Sequence, residues 1–353
     1  MKFNIEKLYK KVRQNKRVDI DEALYLYSNA DLLMLASLAQ LKRYGFNHKK
    51  IVTYVVDRNI NYTDICVSGC RFCAFYQKPE SGKGYVISKQ VLFEKIRGTI
   101  ELGGRQILLQ GGMNPQLKLE YYVDLLKSIK DNFDIHIHGF SPTEINYIAE
   151  QSCLTIKETI KTLNQAGLDS IPGGGAEILC DEIRKKVSPN KCMSEPWLNV
   201  MEQAHKLGMR TTATMMFGHL EEPIHIFKHL KKLRDLQDHT KGFTAFIPWT
   251  FQPDNTRLKV KKAGAAKYLR VLALSRIFLD NFNNIQASWV TQGDKIAQLA
   301  LFYGANDMGS TMIEENVVAS AGVDFMLPEK ELKRLIFEAG FEPKQRDCYY
   351  NLL

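Results

Sequence analysis

The 353-residue sequence predicts an α/β chain folded as a (β/α)8 barrel of the TIM type behind an N-terminal helical extension. Three observations predict it. From Ile51 onward, eight short β-rich runs alternate with amphipathic helical patterns, the signature of parallel βαβ units. The residues capable of chemistry cluster just after those runs, as loops at the C-terminal ends of barrel strands do. A single barrel also routinely uses this length. Periodicity does not report closure, so an open doubly wound sheet stands as the alternative.

Residues 4–46 carry Leu24, Leu26, Leu32, Leu33, Leu35, Leu38 and Leu41 on apolar helical faces and run to Gly45, which predicts a helical extension over residues 1–48. The barrel and a C-terminal closing segment take residues 49–353. Strands are predicted at 51–58, 106–110, 134–139, 170–173, 211–217, 243–249 and 285–290, with a short one near 305–308. Helices are predicted at 89–102, 119–131, 155–166, 194–207, 223–238, 264–282, 293–302 and 328–339. There is no sequence repeat, low-complexity tract or Pro-rich linker.

Composition narrows the function classes. With 45% hydrophobic and 25% charged residues the chain can build a full core, and disorder is not indicated. The net charge of +9 is scattered, as in Lys228, Lys231, Lys232 and Arg234, which fits an anion-binding enzyme better than a nucleic-acid partner. The first residues lack a signal peptide's apolar core, and the longest nearly apolar stretch, 30–41, is too short to span a bilayer. A cytoplasmic protein without membrane insertion is expected. Seven cysteines, an odd count, argue against a disulfide framework and for metal binding.

The strongest signal is Cys66-Val-Ser-Gly-Cys70-Arg-Phe-Cys73. Three thiolates this close can ligate three irons of a 4Fe-4S cubane and leave the fourth iron open to a small molecule. Structural zinc wants four ligands in paired units, and the next cysteine is Cys153, with no histidine at finger spacing. A plain electron carrier would want a fourth cysteine.

Other loops carry candidates. In Gln110-Gly111-Gly112-Met113 the two glycines let backbone approach a ligand without a Cβ in the way. Pro172 to Leu179 holds Glu177 and opens a helix containing Arg184, so a carboxylate and a guanidinium meet near one strand end. His136 and His138 alternate on the third strand and share a face, followed by Ser141 and Glu144. His219 and Glu221 follow the fifth strand, and Asp307 lies in Gly304-Ala-Asn-Asp-Met-Gly309. Met215, Met216 and Met308 read as core filler.

A CxxxCxxC motif just after a first barrel strand, with Phe72 before its last cysteine, resembles the radical S-adenosylmethionine (SAM) superfamily. Asn61 to Cys66, Ser170 to Glu177 and Ala213 to His219 are similar to its menaquinone- and deazaflavin-pathway members, a likeness running from about residue 20 to the C-terminus. Phe246-Ile-Pro-Trp-Thr-Phe-Gln-Pro253 resembles the dehypoxanthine futalosine cyclases. The sister aminofutalosine synthases tend to carry Leu-Ala-Phe-His in place of Trp-Thr-Phe-Gln, and they and the deazaflavin synthases stand as alternatives. The resemblance implies that Cys66, Cys70 and Cys73 hold the cluster, and that SAM lies against Phe72, Gln110, Gly111, Gly112, Met113 and Ser141. Glu177 and Arg184 would take its ammonium and carboxylate. It implies dehypoxanthine futalosine as substrate, in a pocket of His138, His219, Trp249, Thr250, Gln252 and Asn255, and Glu144 or Asp307 as candidates for the final proton acceptor. An electron donor such as flavodoxin or ferredoxin is implied, with SAM consumed. An RNA-modifying relative would bring a separate RNA-binding domain, which residues 311–353 do not resemble.

Overall fold

The computed structural model describes residues 3–46, 50–323 and 327–353. Its strands are β1 Ile51–Val55, β2 Asp57–Asn61, β3 Gln106–Gln110, β4 His136–Gly139, β5 Ser170–Ile171, β6 Arg210–Phe217, β7 Phe243–Thr250, β8 Asn284–Ile285, β9 Asp307–Ser310 and β10 Glu342–Gln345. Strands β2 to β8 form one parallel sheet in chain order, and β1 pairs in parallel with β9 and β10.

Backbone hydrogen bonds join the two sheets into a ring. Asn306 N donates to Ile285 O and Ala287 N to Asp307 O, which ties β9 to β8. Thr311 N donates to Val55 O and Ile313 N to Asp57 O, which ties β9 to the bent strand made by β1 and β2. Counting that bent strand once, with β3 to β9, eight parallel segments close the expected barrel. Outer helices follow the strands, and the helices Ile20–Asn29 and Leu32–Phe46 pack on Pro223–Thr240 and Ala265–Phe278 of that layer.

Among the departures from expectation, three bear on the site. The strand predicted at 285–290 stops at Ile285, and Trp289–Gln292 is a helical turn. There Ser288 N donates to Tyr268 Oη and Trp289 Nε1 to Ser310 O, so side chains replace a ladder. Strand β10 has no alternating pattern and is held by parallel pairing with β1, whose other edge takes β9. The unpredicted helix Pro142–Gln151 begins with a capping box, Ser141 with Glu144, and proline in its first turn. That signature was readable in the sequence.

Candidate active site

The cysteine loop leaves β2 and folds back on itself. Gln77 N donates to Asp64 O, Cys66 N to Gln77 O, and Tyr85 N to Asp64 Oδ1. Cys66 and Cys70 are buried and Cys73 is half-buried. Polar hydrogens converge on the sulfurs: Met113 N donates to Cys66 Sγ at 3.3 Å, and Ser68 Oγ lies 2.9 Å from Cys66 Sγ and 3.3 Å from Cys70 Sγ. Burial pushes the Cys70 thiol up to about 11, opposed by the Lys191 ammonium. Burial also raises Cys73, opposed by the backbone N–H groups of Phe75 and Tyr76. Three clustered thiols with polar hydrogens or a cation close by, two of them (Cys70 and Cys73) costly to ionise alone, suit a cationic metal centre that takes them as thiolates.

The loop after β3 is shaped to this one. A Cβ on Gly112 would stand 2.2 Å from Ile65 O and 2.8 Å from Cys66 Cβ, and one on Gly111 would stand 2.5 Å from the Tyr62 ring. Glycine at 111 and 112 is therefore a steric requirement of backbone packed on the cysteine loop. Glu144 holds the two together: its carboxylate accepts from Tyr62 Oη at 2.8 Å, Gly111 N at 2.9 Å, and Ser141 N and Oγ at 2.8 and 2.7 Å. Burial raises its pKa, opposed by the Ser141 donors. With its oxygens committed, Glu144 is an anchor and not the free base the sequence offered, and the Ser141 hydroxyl is spent on it.

After β5, Glu177 adopts a φ of +39° and faces the barrel interior. Its Oε1 accepts from Lys191 Nζ at 2.9 Å, while its buried Oε2 has no partner. Lys191 also stands 5.1 Å over the Phe72 ring. Burial works against its charge, yet Cys70 and Glu177 raise its pKa above the ordinary lysine value. Sequence reasoning missed Lys191, which sits in an unpatterned loop 14 residues past Glu177. Arg184 is different from expectation. It is fully buried, and its guanidinium donates to the carbonyls of Gly175, Ala176 and Cys192. It clamps the glycine loop and is not free to take a ligand's carboxylate.

The barrel encloses a cavity of about 280 Å³. Neutral hydrogen-bonding side chains (Asn59, Gln106, Gln110, Thr212) and apolar surfaces (Leu108, Ile247, Trp249 and Trp289) line it, along with His138. Asp57 and Glu315 also face it, both raised in pKa by burial. Thr250 and Gln252 stand behind that wall, bonded to each other, with Gln292 Nε2 donating to Thr250 Oγ1 at 2.5 Å. His219 is also behind it: Leu220 N donates to its Nδ1, and its Nε2 lies 3.1 Å from Met216 O. Asn255 is exposed and donates to Ser320 O, away from the cavity. The direct pocket roles expected of these four do not follow from their positions, whereas Trp249 and His138 do line the space.

Asp307 is equally committed. It pairs with Arg346 at 2.7 Å and accepts from Thr53 Oγ1 at 2.6 Å and Gly309 N at 2.8 Å, so it is no free proton acceptor. Burial opposes the Arg346 charge, and Asp307 raises it above the ordinary arginine value. The segment Arg346 to Tyr350 closes the floor of the cavity, a role no local pattern announces.

Comparison with known proteins agrees with this architecture. Residues 60–233 match the Radical SAM superfamily, and residues 240–353 match the CofH/MqnC C-terminal region. The cyclic dehypoxanthine futalosine synthase of Halalkalibacterium halodurans is 44% identical over 353 residues, covering 99% of this chain and 95% of that one. The 5-amino-6-(D-ribitylamino)uracil--L-tyrosine 4-hydroxyphenyl transferase of Archaeoglobus fulgidus is 43% identical over 309 residues, covering 86% and 89%. The FeFe-hydrogenase maturase HydG from Carboxydothermus hydrogenoformans superposes with a TM-score of 0.77 at 18% identity, covering 98% of this chain and 80% of that one, a likeness of fold. Among the described residues no helix is long and apolar enough to cross a membrane.

Proposed function

This chain belongs to the radical SAM superfamily and ends in a CofH/MqnC C-terminal region, and from that premise we propose that it cyclises dehypoxanthine futalosine. Likeness to the H. halodurans synthase along nearly the whole chain carries the reading. The cavity supports it: amide and hydroxyl side chains suit a sugar, and tryptophan faces suit an aromatic ring.

In this reading Cys66, Cys70 and Cys73 hold the 4Fe-4S cluster. The Gly111–Met113 backbone, Phe72 and the Glu177–Lys191 pair would hold SAM, Glu177 suiting its ammonium and Lys191 its carboxylate. When bound, the cluster and SAM supply the 5′-deoxyadenosyl radical that takes the C4′ hydrogen and a one-electron acceptor afterwards. The chain's own work is positioning. The substrate's ribose carbon and aromatic ring belong to one molecule, so holding them together in the barrel cavity lowers the barrier to ring closure. Among the described cavity-lining residues Arg346 is the one Lys or Arg, and its guanidinium is committed to Asp307 and to Asp347 O, so the benzoate is assigned no free cation here. Arg71, exposed within the cysteine loop, and Arg257, bonded to its Gly69 carbonyl, suit an acidic electron-donor protein such as flavodoxin or ferredoxin.

The near-equal identity of the archaeal transferase favours one second reading, hydroxyphenyl transfer from tyrosine to a ribitylaminouracil. Anaerobic reaction of cluster-loaded enzyme with reductant, SAM and dehypoxanthine futalosine separates the two. A product two hydrogens lighter than substrate, formed with 5′-deoxyadenosine, supports cyclisation. Deoxyadenosine without conversion contradicts it.

A further inference from the structure

The barrel floor holds a hydrogen-bonded line from the cavity to the outside that the reading above leaves unused. His136 and His138, two residues apart on β4, both reach Ser170 Oγ on β5, at 2.7 Å from His136 Nε2 and 2.7 Å from His138 Nδ1. Cys348 Sγ lies 3.3 Å from the same hydroxyl. His138 faces the cavity, Ser170 is buried, and His136 is half-buried with its ring edge against Tyr349.

We infer that His138, Ser170 and His136 form a proton exit from the cavity through the closed end of the barrel. One placement of the hydrogens satisfies every contact and gives the line its direction. Thr212 Oγ1 accepts from Gly173 N at 3.0 Å and lies 3.4 Å from His138 Nε2, toward which its own hydrogen is free to point. In that arrangement His138 Nε2 accepts from Thr212, whose hydroxyl turns away when a proton arrives from the cavity, and the ring's own proton sits on Nδ1, donating to Ser170. The Ser170 hydroxyl then accepts from His138 and from the Cys348 thiol and donates to His136 Nε2, which uses its whole capacity. A proton arriving at His138 Nε2 moves one from Nδ1 to Ser170, one from Ser170 to His136 Nε2, and one from His136 Nδ1 to water. Each hop breaks one N–H or O–H bond and forms another, with no change in electron count.

The surroundings suit passage and not storage. Burial, with His136 and Arg346 beside it, lowers the His138 pKa to about 3, so it stays neutral at rest and gives up a proton readily. Burial also lowers His136, with Asp169 and Asp347 raising it and Lys130 lowering it. A metal site is the competing use, because donor atoms of His136, His138 and Cys348 lie within 4.8 Å of one another. The Ser170 oxygen fills the space between them, and burial holds the Cys348 thiol protonated, up to about 12.

The inference rests on the cyclisation reading, in which restoring the aromatic ring releases a proton into the cavity. Two tests keep the claims separate. Without substrate, imidazole 15N shifts of the intact chain are expected to place the His138 proton on Nδ1, and a proton on Nε2 overturns the exit whatever the enzyme converts. Once the wild type cyclises substrate, Ser170→Ala is expected to lower product formation about a hundredfold while deoxyadenosine still forms in the first turnover. Ser170→Thr restores the coupling, and His136→Gln gives the same loss as Ser170→Ala if the latter fails to fold. Unchanged product per deoxyadenosine in Ser170→Ala, or one zinc bound per cluster-loaded wild-type chain and lost in His136→Gln, overturns it.

Discussion

Replacing Gly112 by alanine tests how tightly the glycine loop is fitted to the cysteine loop. The new Cβ would lie 2.2 Å from Ile65 O, and Cβ contacts under 3.0 Å essentially never occur, so the carbonyl must retreat by at least 0.8 Å (3.0 minus 2.2). If Cys66 moves with it, the 3.3 Å contact from Met113 N to Cys66 Sγ opens to roughly 4.1 Å, past hydrogen-bond reach for sulfur. Overpacking of this kind costs about 1–3 kcal/mol. At about 2–4 °C per kcal/mol, the melting temperature of the metal-free chain falls by several degrees. The assay compares iron per chain, cluster absorption and melting with Gly264→Ala, where a Cβ meets nothing within 4 Å. Gly112→Ala is expected to lose most of its iron while the control matches wild type. Full iron content with unchanged SAM binding would refute the steric argument.

Further outcomes follow from the same geometry. Cys70→Ala removes a proposed cluster ligand from a loop that other hydrogen bonds still hold, so SAM cleavage is expected to be lost and the circular dichroism of the fold kept; retained deoxyadenosine production would void the cluster assignment. Lys191→Met removes a charge-assisted contact worth about 1.5–3 kcal/mol, so calorimetry should find SAM binding weaker by about 10- to 150-fold. An unchanged affinity would free Lys191 of that role. Stability should fall on acidification: His138 and His229 have pKa values lowered to about 3 and His205 to about 4, chiefly by burial. The folded state keeps these three neutral while the unfolded chain protonates below about pH 6.5, so each withdraws about 1.4 kcal/mol for every pH unit below that. Denaturant melts at pH 7.5 and 5.5 read this directly, and equal midpoints would contradict the burial of these rings.

Much of this was legible in the sequence because strand period and loop position are local properties. Strand β3 begins and ends where the pattern of Gln106 to Gln110 says, and the cysteine spacing announced its own chemistry. What failed were inferences about where long side chains go. Glu177 and Arg184 are near in sequence, yet the arginine turns into the loop's own carbonyls while a lysine from a later loop meets the carboxylate. Asp307 and Glu144 look free in a sequence and are saturated in the fold, although the capping box around Ser141 foretold the second. The floor from Arg346 to Tyr350 joins β4 and β5 across nearly 180 residues, a distance over which periodicity carries no information.

The most direct test of the central claim is competition. Cluster-loaded enzyme with SAM and reductant is offered dehypoxanthine futalosine together with tyrosine and 5-amino-6-(D-ribitylamino)uracil, and every product is followed by mass spectrometry. Cyclisation predicts that only the futalosine is consumed, in step with 5′-deoxyadenosine. A hydroxyphenyl adduct of the uracil, with the futalosine untouched, would contradict it.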